Sequence, residues 1–146
     1  MTMEQVMGIY GNTVRYVFKA VPHDPEGVFV SRRAAEYFYA AYAVDAAKGW
    51  QLYALLFANQ SALYNEGEAY IVKAAQEAGL DPKHLAKAVR AKEIQDMFAQ
   101  NRAEATRYNL KGTPCFLINN LAIAGAQSLE IFTAAVERAL RESGKK

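Results

Sequence analysis

A long block of helical periodicity, from about residue 31 to about residue 108, separates two β-type segments, and this order constrains the fold more than any other feature. Before the block, residues 13–19 are rich in β-branched and aromatic side chains, which predicts a strand. After it, residues 114–118 form a continuous apolar run, and residues 121–123 a return strand. Asn119-Asn120 is predicted to supply the positive φ angles of the hairpin turn between them. The order predicts an α/β domain with one long helical insertion.

Breaks and caps divide the block into predicted helices. Ser31 is expected to cap the first, which begins at Arg32, and Gly49 is expected to end it. A second helix is predicted from Trp50 to about Asn59, and Asp81-Pro82 combines a cap with a proline at the first helical position. The other helices are predicted over residues 3–10, 66–78, about 92–108 and from about Ser128.

Bulk composition narrows the classes of protein to consider. The chain has 146 residues, 52% apolar side chains and a net charge of +2, which is the composition of one globular domain. Basic residues are mixed with acidic ones, so no nucleic-acid partner is predicted. No apolar run has the length of a membrane span, and residues 1–8 lack the pattern of a secretory signal. We therefore expect no membrane partner, and a cytoplasmic location if Met1 is the true start.

Cysteine and histidine usage argues against a metal or cofactor site. Cys115 is the sole cysteine, which rules out an intrachain disulfide and a cysteine-based metal cluster. His23 lies in a loop predicted around Pro25 and Gly27, and His84 lies on an unrelated short helix. No metal and no cofactor are predicted.

Several segments resemble one family in the right order. Residues 111–120 (KGTPCFLINN), followed by residues 124–130 (AGAQSLE), resemble the end of DsbA-like thioredoxin domains. Residues 55–60 after Trp50 are similar to a helix of that family's insertion, and residues 10–19 (YGNTVRYVFK) are similar to the strand after its active-site helix. The resemblance implies a thioredoxin-like α/β fold and membership of the thiol–disulfide oxidoreductases.

The same resemblance implies that parts are missing. In the family a first strand leads into Cys-x-x-Cys at the start of a helix, and residues 1–10 resemble only the later turns of that helix. We therefore expect residues 1–146 to form a single, incomplete DsbA-like domain with its insertion at about 31–108. The family's first strand would lie between residues 14–18 and 116–118, so its absence predicts two unpaired strand edges. A homodimer or a strand-swapped oligomer is the expected consequence.

The candidate site is Thr113, Pro114 and Cys115. The resemblance implies a cis Pro114, with Thr113 offering main-chain groups to an extended peptide; an ordinary trans proline at a strand start is the alternative. Cys115 is either a thiol able to form one mixed disulfide or a buried small hydrophobe, and the second interpretation is favoured because no neighbouring cation or helix N-terminus would activate it. No catalytic residue is predicted beyond this weak candidate thiol.

Three functional hypotheses follow. The first is a DsbA-like disulfide oxidoreductase whose sequence begins late and which is redox-inactive as given. The second is a non-catalytic remnant that holds peptides or a partner at the Pro114 groove. The third is a glutathione-dependent transferase or isomerase, which needs no cysteine pair. The family is usually periplasmic or extracytoplasmic, so the resemblance and the start of the chain point to different compartments.

Overall fold

The computed structural model describes residues 2–22 and 30–144, which divide into two compact units. The hairpin unit comprises Met1–Lys19 and Arg102–Lys146, and the helical unit comprises Ala20–Asn101. His23, Pro25 and Gly27 of the predicted loop lie outside the described residues. The elements in chain order are α1 (Thr2–Tyr10), α2 (Val30–Val44), α3 (Ala46–Ala58), α4 (Gln60–Glu66), α5 (Glu68–Glu77), α6 (Pro82–Ala88), α7 (Lys92–Arg107), β1 (Cys115–Ile118), β2 (Leu121–Ala124) and α8 (Leu129–Glu142).

The helical unit is built on a core of large apolar side chains. The most deeply buried side chains of this core come from four different parts of the unit. Burial of each large apolar side chain contributes roughly 1.5–3 kcal/mol to stability, so this core holds the helices together. These most deeply buried side chains are Tyr37, Leu52, Ile71, Leu85 and Val89. In the described part of the chain, none of the helices has the length and apolar character needed to cross a membrane.

Three buried hydrogen bonds connect the two ends of the helical unit. The Tyr39 hydroxyl accepts from the Ala20 amide at 2.8 Å and from Asn101 Nδ2 at 2.9 Å. Asn101 Nδ2 also donates to the Ala20 carbonyl at 3.0 Å. Since an unpaired buried polar group costs about 1–3 kcal/mol, this closed set fixes the first and last residues of the unit against α2.

The helix boundaries at Gly49 and Ser31 were predicted wrongly. Asp45, whose carboxylate accepts from the amides of Ala47 and Lys48, caps α3, so Gly49 lies inside that helix instead of ending the previous one. A Cβ on Gly49 would lie 2.6 Å from the Tyr42 Cα, which shows that this glycine permits close approach of two helices. The preceding helix begins at Val30, so Ser31 is helical and not its cap.

The remaining helix predictions hold, and one described helix, α4, was not predicted. Asp81 caps α6 as predicted, accepting from the Lys83 amide at 2.9 Å. The helix predicted over residues 66–78 begins at Glu68, because Gly67, whose φ of 59° lies in the left-handed region, separates it from α4. Glycine alone adopts such an angle without a steric penalty, so this break follows from its missing side chain.

The predicted hairpin is confirmed. β1 and β2 form an antiparallel pair in which Phe116 lies opposite Ile123 and Ile118 lies opposite Leu121. Asn119 has a φ of 51°, as predicted, but the positive φ predicted for Asn120 is wrong, since Asn120 does not adopt one. These two strands make up the sheet within the described residues.

The strand predicted over residues 13–19 is not present. The segment contains neither helix nor sheet pairing, and it runs without turn or bend from residue 14 to residue 22. Its side chains nevertheless alternate as a strand's do: Val14, Tyr16 and Phe18 are half-buried, whereas the residues between them are exposed. The segment therefore has the side-chain periodicity of a strand but is not part of the sheet in the described structure.

The close contact at Gly49 leads to a stability prediction. Gly49→Ala should lower the free energy of unfolding by about 1–3 kcal/mol, because the new methyl group must displace the backbone of α2. Gly8→Ala is the matched control: Gly8 lies in α1, a Cβ added there would have nothing within 4 Å, and the variant should gain up to about 1 kcal/mol of helix propensity. Urea denaturation of both variants measures the difference; an unchanged midpoint for Gly49→Ala would contradict the tight packing.

Candidate functional site

The predicted site residues Thr113, Pro114 and Cys115 lie together where the chain enters the hairpin. Thr113 and Pro114 are exposed, and Cys115, the first residue of β1, is half-buried. The peptide bond between Thr113 and Pro114 is cis. The Pro114 carbonyl accepts from the Gly125 amide at 2.9 Å, so the proline is anchored to the strand that returns beside it.

An apolar cluster holds the hairpin against α1 and α8. The Phe116 and Phe132 rings meet edge to face, with centroids 4.7 Å apart, a favourable aromatic geometry. α8 carries its apolar side chains along one face, as its sequence periodicity predicts. The buried members of the cluster are Val6, Ile123, Phe132, Ala135 and Val136.

The two edges of β1 differ in their hydrogen bonding: one is paired with β2 and the other is not. Pro114, Phe116 and Ile118 direct their backbone groups towards β2, because the bond from Gly125 to Pro114 sets the register and hydrogen-bonded pairs alternate along an antiparallel ladder. The amide and carbonyl groups of Cys115 and Leu117 must then point to the opposite edge. No hydrogen bond within the described residues uses those groups. β1 thus has one paired edge and one open edge.

The Cys115 thiol points into the hairpin's own structure. Its Sγ donates to the Ile123 carbonyl at 3.4 Å, a contact within the range for a sulfur donor. The other residues of β1 are Phe116, Leu117 and Ile118, which offer the sulfur no charge. The Cys115 sulfur thus has a main-chain partner within the hairpin and no charged neighbour within β1.

Two residues after the hairpin shape the site, and neither was given a role from the sequence. Gly125 has a φ of 76°, and its amide makes the bond to Pro114 described above. Gln127 Nε2 donates to the Ala124 carbonyl at 2.8 Å and so secures the end of β2. A glycine directly after a short apolar strand was the available signal, because a positive φ there favours glycine.

A charged cluster in the helical unit was also missed. Glu36 is 7% exposed, and its carboxylate accepts from Arg33 at 2.9 Å, from Gln95 at 3.2 Å and from Arg32 at 3.3 Å. Arg33 also donates to Glu68 at 2.9 Å. The spacing of Arg32 and Arg33 to Glu36, four and three residues, was the signal in the sequence. Because the Glu36 carboxylate accepts hydrogen bonds from these neighbouring side chains, the cluster joins the helices that carry them.

Tyr37 and Glu68 belong to the same cluster and influence each other's protonation. The Tyr37 hydroxyl donates to Glu68 Oε1 at 2.8 Å. Burial, together with this hydrogen bond to the carboxylate, raises the pKa of Tyr37 to about 12. The Arg33 hydrogen bond lowers the pKa of Glu68 below its usual value, with a smaller lowering from Tyr37.

Neither histidine was predicted to take part in a site. His84 is exposed on α6, and His23 lies outside the described residues. Among residues 2–22 and 30–144, no three histidine, cysteine, aspartate or glutamate side chains are grouped so that they could hold a metal ion.

A known family accounts for most of the chain. The model of the DSBA-like thioredoxin domain matches residues 12–137, and the chain belongs to that family. Its fold is thioredoxin-like, rich in helices, with a small two-stranded sheet.

Two known proteins are similar to this chain. The crystal structure of a thioredoxin-like oxidoreductase from Silicibacter pomeroyi DSS-3 superimposes with a TM-score of 0.69 at 25% identity, covering 96% of this chain and 78% of that one. A Na(+)/H(+) antiporter NhaA from Herminiimonas arsenicoxydans is 25% identical over 132 residues, which are 90% of this chain and 20% of that protein. This chain therefore spans about a fifth of the length of the curated relative it matches.

The cluster around Glu68 leads to a pH prediction. Arg33→Gln should raise the pKa of Glu68 towards the ordinary value of about 4.3, because the main group that lowers it is removed. In the unsubstituted protein the folded-state pKa is depressed, so the stabilisation from Glu68 is present above its unfolded pKa and is lost as the pH falls through the folded one. Carboxyl chemical shifts followed by NMR titration measure the change.

The control for this titration is Arg138→Gln, which removes the exposed partner of Glu142 and should leave the pKa of Glu68 unaltered. An identical Glu68 titration in Arg33→Gln and the unsubstituted protein would show that Arg33 does not hold this carboxylate.

Proposed function

We propose that this chain holds extended polypeptide segments at Thr113 and Pro114 and does not by itself turn over disulfides. The observation that carries the proposal is the hairpin of a DsbA-like domain with an exposed Thr113–Pro114 segment and a single thiol beside it. It combines the first two of the hypotheses drawn from the sequence.

The chemistry of exchange supports the inactive half of the proposal. A thiolate that attacks a disulfide forms a mixed disulfide and expels one substrate sulfur as a thiol. Release of the trapped substrate needs a second thiol to attack that bond, which then leaves an intramolecular disulfide. Cys115 is the sole cysteine of the sequence, so no second thiol of this chain can complete the cycle.

The peptide-holding half rests on backbone groups and exposure. Thr113 is exposed, and neither its amide nor its carbonyl takes part in a hydrogen bond among the described residues. An extended peptide can pair with such main-chain groups, while the exposed proline ring offers an apolar surface to its side chains. A site that binds the main chain of a peptide would accept peptides of many different sequences.

A second candidate is disulfide exchange by a longer polypeptide that contains this chain. It is supported by the similar solved protein, a thioredoxin-like oxidoreductase of which about a fifth has no counterpart here, since this chain covers 78% of it. In that case Thr113 and Pro114 would position the substrate, and residues outside this chain would supply the dithiol.

The turnover test is insulin reduction by dithiothreitol. We expect the rate with this chain to equal the rate without protein, and Cys115→Ser to behave identically, because the Cys115 thiol is half-buried and no residue of β1 carries a charge that would favour its thiolate. Catalysis by the unsubstituted chain that disappears in Cys115→Ser would overturn the proposal.

The binding test uses fluorescence anisotropy with alkylated insulin B chain, which is extended and has no free thiol. Thr113→Arg should weaken binding at least about tenfold, equivalent to ~1.4 kcal/mol, because the long side chain obstructs the main-chain groups. Ala134→Arg, which adds the same side chain at an exposed position of α8, is the control and should bind normally.

Absence of binding by the unsubstituted chain, or equal binding by both variants, would contradict a site at Thr113. Glutathione added as a competitor addresses the third hypothesis from the sequence: displacement of the peptide by glutathione would favour a glutathione site over a peptide site.

A further inference from the structure

We propose that the peptides held at Thr113 and Pro114 are preferentially acidic, and that Lys111 is the residue that selects them. This inference rests on the proposed peptide site, because it assigns a substrate class to that same site. The distribution of charge around Thr113 carries it, and this distribution is independent of the hydrogen bonding from which the site was inferred.

The segment that builds the site carries positive charge only. Residues 105–129 comprise the end of α7, the approach to the hairpin, both strands and the connection to α8. The charged side chains of this segment are Arg107 and Lys111, and both are basic. The nearest acidic residues along the chain are Glu104 before the segment and Glu130 after it. An anionic side chain of a bound peptide therefore meets no like charge from this segment.

Lys111 is close to the peptide site because of its position in the chain. Gly112 alone separates it from Thr113, so the Cα atoms of Lys111 and Thr113 lie at most about 7 Å apart. Gly112 is exposed, and a Cβ added there would have nothing beyond its chain neighbours within 4 Å. The space beside the glycine is therefore open, and a side chain of a peptide bound at Thr113 can reach the Lys111 ammonium group.

The charge of Lys111 is not neutralised within the described part of the chain. Lys111 is exposed, and its ammonium group forms neither an ion pair nor a hydrogen bond with residues 2–22 or 30–144. The Arg107 guanidinium, in contrast, lies 5.8 Å from the centre of the Tyr108 ring, a cation–π contact. Lys111 is therefore the cation of this segment that is available to a carboxylate of the peptide.

The two acidic residues that flank the segment have partners of their own. Glu104 forms an ion pair with Lys19. A hydrogen bond from the Ser128 side chain lowers the pKa of Glu130, so this carboxylate stays ionised in contact with its neighbour. Neither flanking carboxylate is paired with Lys111, which leaves a net positive charge beside Thr113.

The resulting selection is by charge and is weak. Ion pairs between exposed groups contribute little, so a glutamate in the peptide should bind between about 1.5-fold and fivefold more tightly than a glutamine at the same position. Because the pair is exposed, dissolved salt should screen it. Pairing with the peptide main chain supplies affinity that is independent of sequence, and Lys111 adds a preference among sequences.

Three peptides measured with the unsubstituted chain test this preference. Each is a capped, thiol-free peptide of serine, threonine and valine whose central residue is glutamate, glutamine or lysine. At low ionic strength, fluorescence anisotropy should show the tightest binding for the glutamate peptide, by about two- to fivefold over glutamine, and the weakest for the lysine peptide. In about 1 M salt, where the screening length is about 3 Å, the three affinities should converge.

Substitutions of Lys111 identify the residue that selects. Lys111→Glu should reverse the order of the glutamate and lysine peptides, and Lys111→Gln should remove the difference between them. The matched control is Lys83→Glu, which makes the same change in net charge at an exposed position of α6, outside residues 105–129. This control variant should keep the preference for glutamate.

The outcomes separate this inference from the proposed function. Equal affinities for the three peptides at low ionic strength, with Thr113→Arg still weakening all of them, would overturn selection by charge and leave the peptide site standing. A preference for glutamate that persists in Lys111→Glu would overturn the role of Lys111. Absence of binding by all three peptides would overturn the peptide site and, with it, this inference.

Discussion

Backbone hydrogen bonding determines how the hairpin unit is organised. An extended segment becomes a strand when a neighbour accepts and donates its main-chain hydrogen bonds, and β1 and β2 supply this for each other across a tight turn. Residues 14–19 have the composition and the alternating burial of a strand, yet the described structure does not include them in a sheet. The open edge of β1 is a second result of the same constraint, since its amide and carbonyl groups at Cys115 and Leu117 point away from β2.

The helical unit is stabilised in a different way. Its helices satisfy their own backbone groups, and their apolar sides form a core around residues such as Tyr37, Leu52 and Ile71. Tyr39 and Asn101 close the unit with buried hydrogen bonds to Ala20. A unit of this kind does not require a complete sheet, because none of its helices depends on a strand for its backbone hydrogen bonds.

The predictions that succeeded depend on short-range chemistry. The hairpin could be predicted because Asn119 tolerates a positive φ and the flanking residues are apolar, and α6 could be predicted because Asp81 precedes Pro82. Gly49 was misread as a helix end because its role, close approach to Tyr42, involves a different helix. The Glu36 cluster was missed for a similar reason: its spacing to the arginines was visible, but the contributions of Glu68 and Gln95 come from distant positions.

The sequence alone determined the family, the single thiol, the order of the elements and the place of Thr113, Pro114 and Cys115 before a hairpin, because each of these is a property of adjacent residues. Tertiary structure decided that residues 13–19 do not form a strand, that the Cys115 thiol bonds to the Ile123 carbonyl, and that β1 keeps one open edge. The physical reason is that a strand, unlike a helix, satisfies its hydrogen bonds outside its own segment, so its existence is settled by what lies beside it in space.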